Sequence, residues 1–214
     1  MIGQPLYILG LTGGIACGKS TVAAWLVARG AANLDADQLA RDVVAPGTSG
    51  LAAVLAEFGA HLRQPDGTLD RKALGALVFA DRPALRRLEA IVHPRIRAAL
   101  DQRLAQHRQQ GTGLAVINAA LLFDMGLQAQ CHATLTIEAQ TATQLQRLHQ
   151  RDGLSPEAGQ LRIDAQMTSE QRRERATWAI DNDGGLADLE RALWAWWPKL
   201  QAAQQRQASE PTRG

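Results

Sequence analysis

An α/β fold with a mainly parallel sheet is predicted by two features of this 214-residue chain. Short apolar runs alternate with longer helical stretches, and strands joined through helices lie parallel. The first apolar run also enters a glycine-rich loop that opens directly onto a helix.

The elements follow in chain order. Residues 6–11 read as a buried strand closed by Thr12-Gly13-Gly14. Residues 20–29 form a helix with Val22, Trp25 and Leu26 on its buried side, and Gly30 ends it. Residues 31–35 make a second short strand, and residues 35–44 a helix stopped at Pro46-Gly47. Residues 48–110 read as helical. Within them Pro65-Asp66-Gly67 marks a turn, Asp81-Arg82-Pro83 a helix start, and His93-Pro94 kinks or restarts that helix. Strand character returns at residues 114–118 and 133–137, then a helix at 140–151. Residues 153–175 are polar and Arg-bearing, which predicts a mobile flap. A last strand at 177–181 and a closing helix at 186–200 precede a Gln-, Ala- and Ser-rich tail expected to fray.

Composition narrows the function classes. Hydrophobic residues are 46% and charged residues 21%, an ordinary globular balance that excludes a disordered chain. No apolar run approaches the ~18 residues of a membrane helix. The N-terminus has no basic region before its apolar stretch and does not read as a signal peptide. A net charge of +2 without a basic stripe argues against a nucleic-acid partner. Cys17 and Cys131 form no metal-ligand spacing with the five histidines. The expectation is a reduced cytoplasmic protein, a monomer or weak homo-oligomer, with no membrane partner.

Residues 13–20 match G-x-x-x-x-G-K-[ST], the phosphate-binding P-loop, with Thr21 after it. Gly13 and Gly18 permit a backbone that curls its N–H groups around a phosphate, and Gly14, Ile15, Ala16 and Cys17 lie between them. The following helix points its N-terminus at that phosphate. Lys19 supplies a point charge to the β- and γ-oxygens, and the Ser20 hydroxyl suits Mg²⁺. Twenty of the 23 basic residues are Arg, so one of only three lysines stands where the motif needs it. Cys17 reads either as a small residue filling a small position or as a thiol whose pKa a phosphate site lowers. No Asn-Lys-x-Asp element is present, which argues against a GTP switch protein.

Asp35-Ala36-Asp37 follows the second strand. One carboxylate there can take the proton of an acceptor hydroxyl and another can hold a metal-bound water. The competing reading is a helix cap. Arg41, one turn beyond Asp37, either binds an anionic acceptor or pairs with Asp37.

In order, these residues resemble the dephospho-CoA kinase family. The resemblance begins with Leu11-Thr12-Gly13-Gly14-Ile15 leading into the P-loop and Asp35-Ala36-Asp37 with Ala40-Arg41. Asp66-Gly67-Thr68-Leu69-Asp70-Arg71-Lys72-Ala73-Leu74 with Val78-Phe79, and Ile91-Val92-His93-Pro94 with Ile96, are its most specific parts. Leu121-Leu122-Phe123, Gln144 with Arg147-Leu148, Arg151-Asp152, Arg162 with Gln166, and Ile180-Asp181-Asn182 with Gly184 extend it to about residue 185.

The resemblance implies transfer of the ATP γ-phosphoryl group to the ribose 3′-hydroxyl of dephospho-CoA, with Mg²⁺. It implies a P-loop core with a five-stranded parallel sheet at about residues 1–45 and 112–200. A helical CoA-side insertion at about 46–111, a lid at about 152–176 and a flexible tail at 201–214 complete the expected organisation. It implies Asp37 as base, Asp35 supporting metal or acceptor, and Arg41 and His93 on the acceptor side. Arg147 and Asn182 would lie near the ATP base, with Arg151 and Arg162 on the lid. The chain departs from the family pattern at Ala120 (usually Pro), Asp124 (usually Glu), Cys17 (commonly Ser) and Thr177 (often Asp).

Three features keep two readings each. His93 is either an acceptor-side residue or a buried histidine at a helix kink. Trp194, Trp196 and Trp197 either pack or stack on a base. Arg172, Arg173 and Arg175 are either a solvated helix face or part of a flap closing over phosphate.

Overall fold

The computed structural model describes residues 5–209. Five strands form one sheet: β1 (Tyr7–Gly13), β2 (Ala32–Asp35), β3 (Leu114–Asn118), β4 (Ala133–Glu138) and β5 (Trp178–Asp181). Their order is β2-β3-β1-β4-β5. β1 pairs in parallel with β3 and β4, and β4 with β5. β1 is central, and all seven of its residues are buried, as a strand covered on both faces requires. From β1 the chain runs to β2 and β3 on one side of it, then crosses to β4 and β5 on the other. That reversal opens a crevice at the carboxyl end of β1, where ligands of open α/β sheets bind.

Chain packing divides the described residues into two units, one up to Leu34 and again from Gln106, the other Asp35–Ala105. The first holds the sheet core, α1 (Lys19–Val27), α6 (Thr141–Asp152), α7 (Pro156–Asp164), α8 (Ser169–Arg175) and α9 (Leu186–Ser209). Leu9, Leu11 and Val116 pack with Leu135, Ile137, Val22 and Leu26, and α9 adds Leu193, Trp196 and Leu200. The second unit holds α2 (Ala36–Asp42), α3 (Ser49–Phe58), α4 (Arg71–Ala80) and most of α5 (Arg82–Gln109). Val44, Leu51, Val54, Phe58, Leu62 and Leu74 are among its core.

Two expectations on elements need correction. α5 is not restarted at His93-Pro94 but runs unbroken from Arg82 to Gln109. Proline costs one main-chain hydrogen bond. The Arg95 guanidinium donates to the Ile91 carbonyl in the same turn (2.6 Å), and Ile96, Leu100 and Leu104 are buried beyond it. The closing helix does not stop at Leu200; it continues to Ser209, and residues 210–214 of the expected tail lie outside the described residues. The flap stretch contains two capped helices. Ser155 caps α7 ahead of Pro156, and Thr168 and Gln171 form a reciprocal capping box on α8.

The tryptophans pack. Trp196 is 4% exposed and meets Trp178 edge-on, while Trp194 and Trp197 each meet Trp25 at 5.4 Å. Trp194 is 55% exposed and shares Arg29 with Trp25. Removing a buried tryptophan leaves a large cavity, whereas an exposed ring holding a guanidinium contributes little. Trp196→Ala is expected to lose about 3–5 kcal/mol in urea unfolding. Trp194→Ala is expected to lose no more than about 1 kcal/mol.

Candidate functional site

The loop after β1 has to turn its N–H groups toward a ligand, so its carbonyls need donors on the other side. The structure supplies one for each. The Cys17 N–H reaches the Gly14 carbonyl at 3.2 Å, closing a tight turn. Gln144 Nε2 donates to the Ile15 carbonyl at 2.7 Å. Arg147 donates to the Ala16 carbonyl at 3.2 Å, and Asn182 Nδ2 to the Cys17 carbonyl at 2.9 Å. The Gly18 carbonyl takes the Val22 N–H as α1 begins.

Local backbone geometry explains the glycines. A Cβ at Gly13 would run into the Ile137 carbonyl of β4, and one at Gly18 into the Asn182 amide. Gly18 has φ 94°, in the region that favours glycine, and offers α1 no side-chain cap. Ala16 also adopts a positive φ of 59°. Thr21 lies in the first turn of α1 and, with Arg147, Asn182, Gly184 and Leu189, lines a cavity of about 240 Å³ beside the loop. Arg147 also reaches the Gly184 carbonyl at 3.0 Å. The residues expected at the nucleotide are thus gathered around one loop.

Lys19 Nζ donates to Asn118 Oδ1 at 2.7 Å. Asn118 ends β3, is 4% exposed, and carries no motif that would single it out in the sequence. Glu138, likewise unmarked in the sequence, fixes the place of Arg172. Glu138 ends β4 and pairs with Arg172 through two hydrogen bonds of 2.7 Å. Their side chains are 1% and 7% exposed. Thr136 also donates to Glu138, and Arg172 to the Met167 carbonyl. Burial alone would lower the Arg172 pKa, but the hydrogen bonds and charge of Glu138 outweigh it and hold it above the usual value. Arg172 is therefore neither a solvated face nor a free phosphate ligand. Arg173 instead pairs with Asp181 at the end of β5.

The arginines expected on the lid gather elsewhere. Arg151 grips Asp152 through two hydrogen bonds (2.9 and 2.8 Å), and Arg162 approaches the same carboxylate at 3.9 Å. The Arg151 hydrogen bond holds Asp152 below the usual carboxylate range.

The acceptor-side candidates belong to the second unit. Asp35 caps α2 by accepting the Gln38 N–H at 2.9 Å. Asp37 stands in the first helical turn, where a negative charge suits the helix dipole. Arg41 occupies the last turn and donates to Gln38 Oε1 at 3.2 Å. The specific 66–74 stretch explains itself locally. Asp66 closes the turn by accepting from the Thr68 N–H (2.9 Å) and hydroxyl (2.7 Å). Asp70 caps α4 through the Ala73 N–H at 2.8 Å, and Arg71 donates to the Arg41 carbonyl at 3.1 Å. His93 is half-buried on α5; burial lowers its pKa, which keeps it neutral at pH 7.

Cys17 is fully buried beneath the loop, packed in the sheet core. Its pKa is not lowered by the phosphate site. Burial first, then Glu138, pushes it up to about 11, and burial pushes Cys131 up to about 12. Both cysteines are free. At about pH 8 a thiol with a pKa of about 11 is ionised about one part in a thousand. Alkylation of native Cys17 is expected to be at least about a hundredfold slower than in urea, with the rate still rising above pH 9. Fast native labelling at pH 8 would contradict this environment.

The sequence profile of the dephospho-CoA kinase family matches residues 7–188. The chain is 46% identical to the dephospho-CoA kinase of Geobacter sulfurreducens over 192 residues, 90% of this chain and 98% of that one. A crystal structure from Thermus thermophilus superposes with a TM-score of 0.78 at 39% identity, covering 92% of this chain and 98% of that one. Dephospho-CoA kinase from Campylobacter jejuni superposes at 0.67 with 27% identity, covering 91% and 97%. The chain belongs to the dephospho-CoA kinase family.

Proposed function

We propose that this protein transfers the γ-phosphoryl group of ATP to the ribose 3′-hydroxyl of dephospho-CoA, giving CoA and ADP. The observation that carries the ATP half is the loop from Gly14 to Gly18, with every carbonyl satisfied, three of them by side chains of other elements, and Lys19 at the head of α1. Family membership supports the acceptor half.

Phosphoryl transfer needs positioning and charge neutralisation more than covalent help. Lys19 neutralises the β- and γ-oxygens, and the loop from Gly13 to Thr21 cradles the phosphates. Arg147 and Asn182, beside the 240 Å³ cavity, flank the base. Arg151 and Arg162 exchange part of their hold on Asp152 for phosphate oxygens. Asp37 accepts the proton of the ribose hydroxyl. Asp35 supports it chiefly by fixing the start of α2, and Arg41 and His93 hold the acceptor.

Among the described residues no three His, Cys, Asp or Glu side chains gather as a metal site. Ser20 presents an exposed hydroxyl in the first turn of α1. That donor set fits Mg²⁺ carried in on the nucleotide phosphates, with Ser20 as its ligand from the chain. Bound there, the ion would neutralise charge on the transferring group. No helix among the described residues is long and apolar enough to cross a membrane. Two free cysteines support a cytoplasmic setting.

The test is ADP release from Mg·ATP with dephospho-CoA, beside AMP, adenosine and shikimate. ADP with dephospho-CoA alone, and CoA as product, is the expected result; ADP only with another acceptor discards the substrate. Lys19→Ala is expected to abolish turnover, and near-normal turnover would remove Lys19 from the site. Asp37→Asn is expected to keep ATP binding while turnover falls by about 10²–10⁴. Unchanged turnover would leave Asp37 with only a helix-end role.

A further inference from the structure

The phosphate motif leaves its second and third positions open, yet Gly14 is closely packed and side chains hold both main-chain groups of Ile15. A Cβ on Gly14 would lie 2.8 Å from the Arg172 guanidinium and 2.8 Å from the Gln144 amide. Neither can swing away cheaply. Arg172 is locked by Glu138, and Gln144 is 5% exposed with its amide on the Ile15 carbonyl. The other side of Ile15 is held as well: its N–H donates to Gln166 Oε1 at 2.8 Å. Gln166 sits in the short link between α7 and α8. The carbonyl of the next residue, Met167, accepts from Arg172. One arginine thus presses on Gly14 and anchors the segment from which Gln166 reaches Ile15.

We propose that Gln166 is a positioning residue for nucleotide binding: with Gln144 it clamps the Ile15 N–H and carbonyl, tying the α7–α8 segment to the phosphate loop. Gln166 acts through the loop backbone. The two glutamines use opposite chemistry, Gln166 as acceptor and Gln144 as donor. A glutamate can therefore replace Gln166 at this contact but not Gln144. Losing the clamp lets the loop sample other peptide orientations, which weakens its hold on phosphate in ground and transition states alike. The expected signature is a raised KM for ATP with kcat nearly kept.

The inference rests on the kinase reading, so its test has one arm that needs no substrate. Amide exchange at Ile15 is followed in the free full-length enzyme, wild type beside Gln166→Met and Gln166→Glu. Gln166→Met is expected to speed Ile15 exchange about five- to tenfold, the loss of one hydrogen bond. Gln166→Glu restores the protection. In turnover assays Gln166→Met raises KM for ATP about tenfold and leaves kcat within about threefold. Its melting temperature stays within about 2–4 °C of wild type. Unchanged Ile15 exchange overturns the clamp. Faster exchange with unchanged KM, or a kinetic loss that follows a fall in melting temperature, overturns the positioning role. Wild-type enzyme without ADP release on dephospho-CoA sinks the kinase reading instead, while Ile15 exchange still decides whether the clamp exists.

Discussion

A loop that shows its N–H groups to an anion must satisfy its carbonyls on the opposite side. That constraint organises the whole first unit. Donors for Ile15, Ala16 and Cys17 come from Gln144 and Arg147 on α6 and from Asn182 after β5. These residues are far from the loop in sequence and meet it only because β4 lies beside β1 and β5 beside β4. Parallel strands bring their carboxyl ends to one edge, so the residues that follow them can all reach the same turn. The sheet order is in this sense the means by which a short loop obtains its second layer of hydrogen bonds.

The buried Glu138–Arg172 pair belongs to the same logic. Taking both charges out of water is costly, and such a pair is weak evidence for stability by itself. Its geometry is nevertheless fully used: two hydrogen bonds join the pair, Thr136 adds one to the carboxylate, and the Met167 carbonyl takes another from the guanidinium. Removing one member would strand the other, which costs about 3–5 kcal/mol. The pair fixes where α8 starts relative to the end of β4. It therefore sets the position of the segment carrying Gln166.

Most of the fold was legible because it follows from local pattern. The five strand segments and the P-loop announce themselves through apolar runs and glycine spacing. What was not legible depends on tertiary placement. Arg172 in a run of arginines reads like a surface residue, and only the approach of β4 buries it against Glu138. Asn118 is one more strand-end residue until Lys19 reaches it. Asp35 and Asp37 were equivalent as candidate caps; the Gln38 N–H separates them by choosing Asp35. The continuation of α5 through Pro94 likewise shows buried side chains overriding a local breaker.

The departures from the family pattern are accommodated by particular contacts. Cys17 fills a fully buried space where a small side chain fits, and its raised pKa keeps it a packing residue. At position 177, where the family often has Asp, the Thr177 hydroxyl accepts the Thr134 N–H at 3.0 Å. The Thr134 hydroxyl accepts the Thr177 N–H at the same distance. This reciprocal pair joins the approach to β5 with the start of β4 without an added charge. At Ala120 the fixed proline φ is gone, but the strand end is held on both sides. The Ala119 N–H donates to the Leu11 carbonyl at 3.0 Å, and the Thr12 hydroxyl to the Ala120 carbonyl at 3.2 Å. Asp124 contributes negative charge to the environment of Arg172. The substitutions therefore change how the edges of the loop are fastened and leave Lys19, Ser20 and the satisfied carbonyls from Gly14 to Gly18 as they must be to receive phosphate.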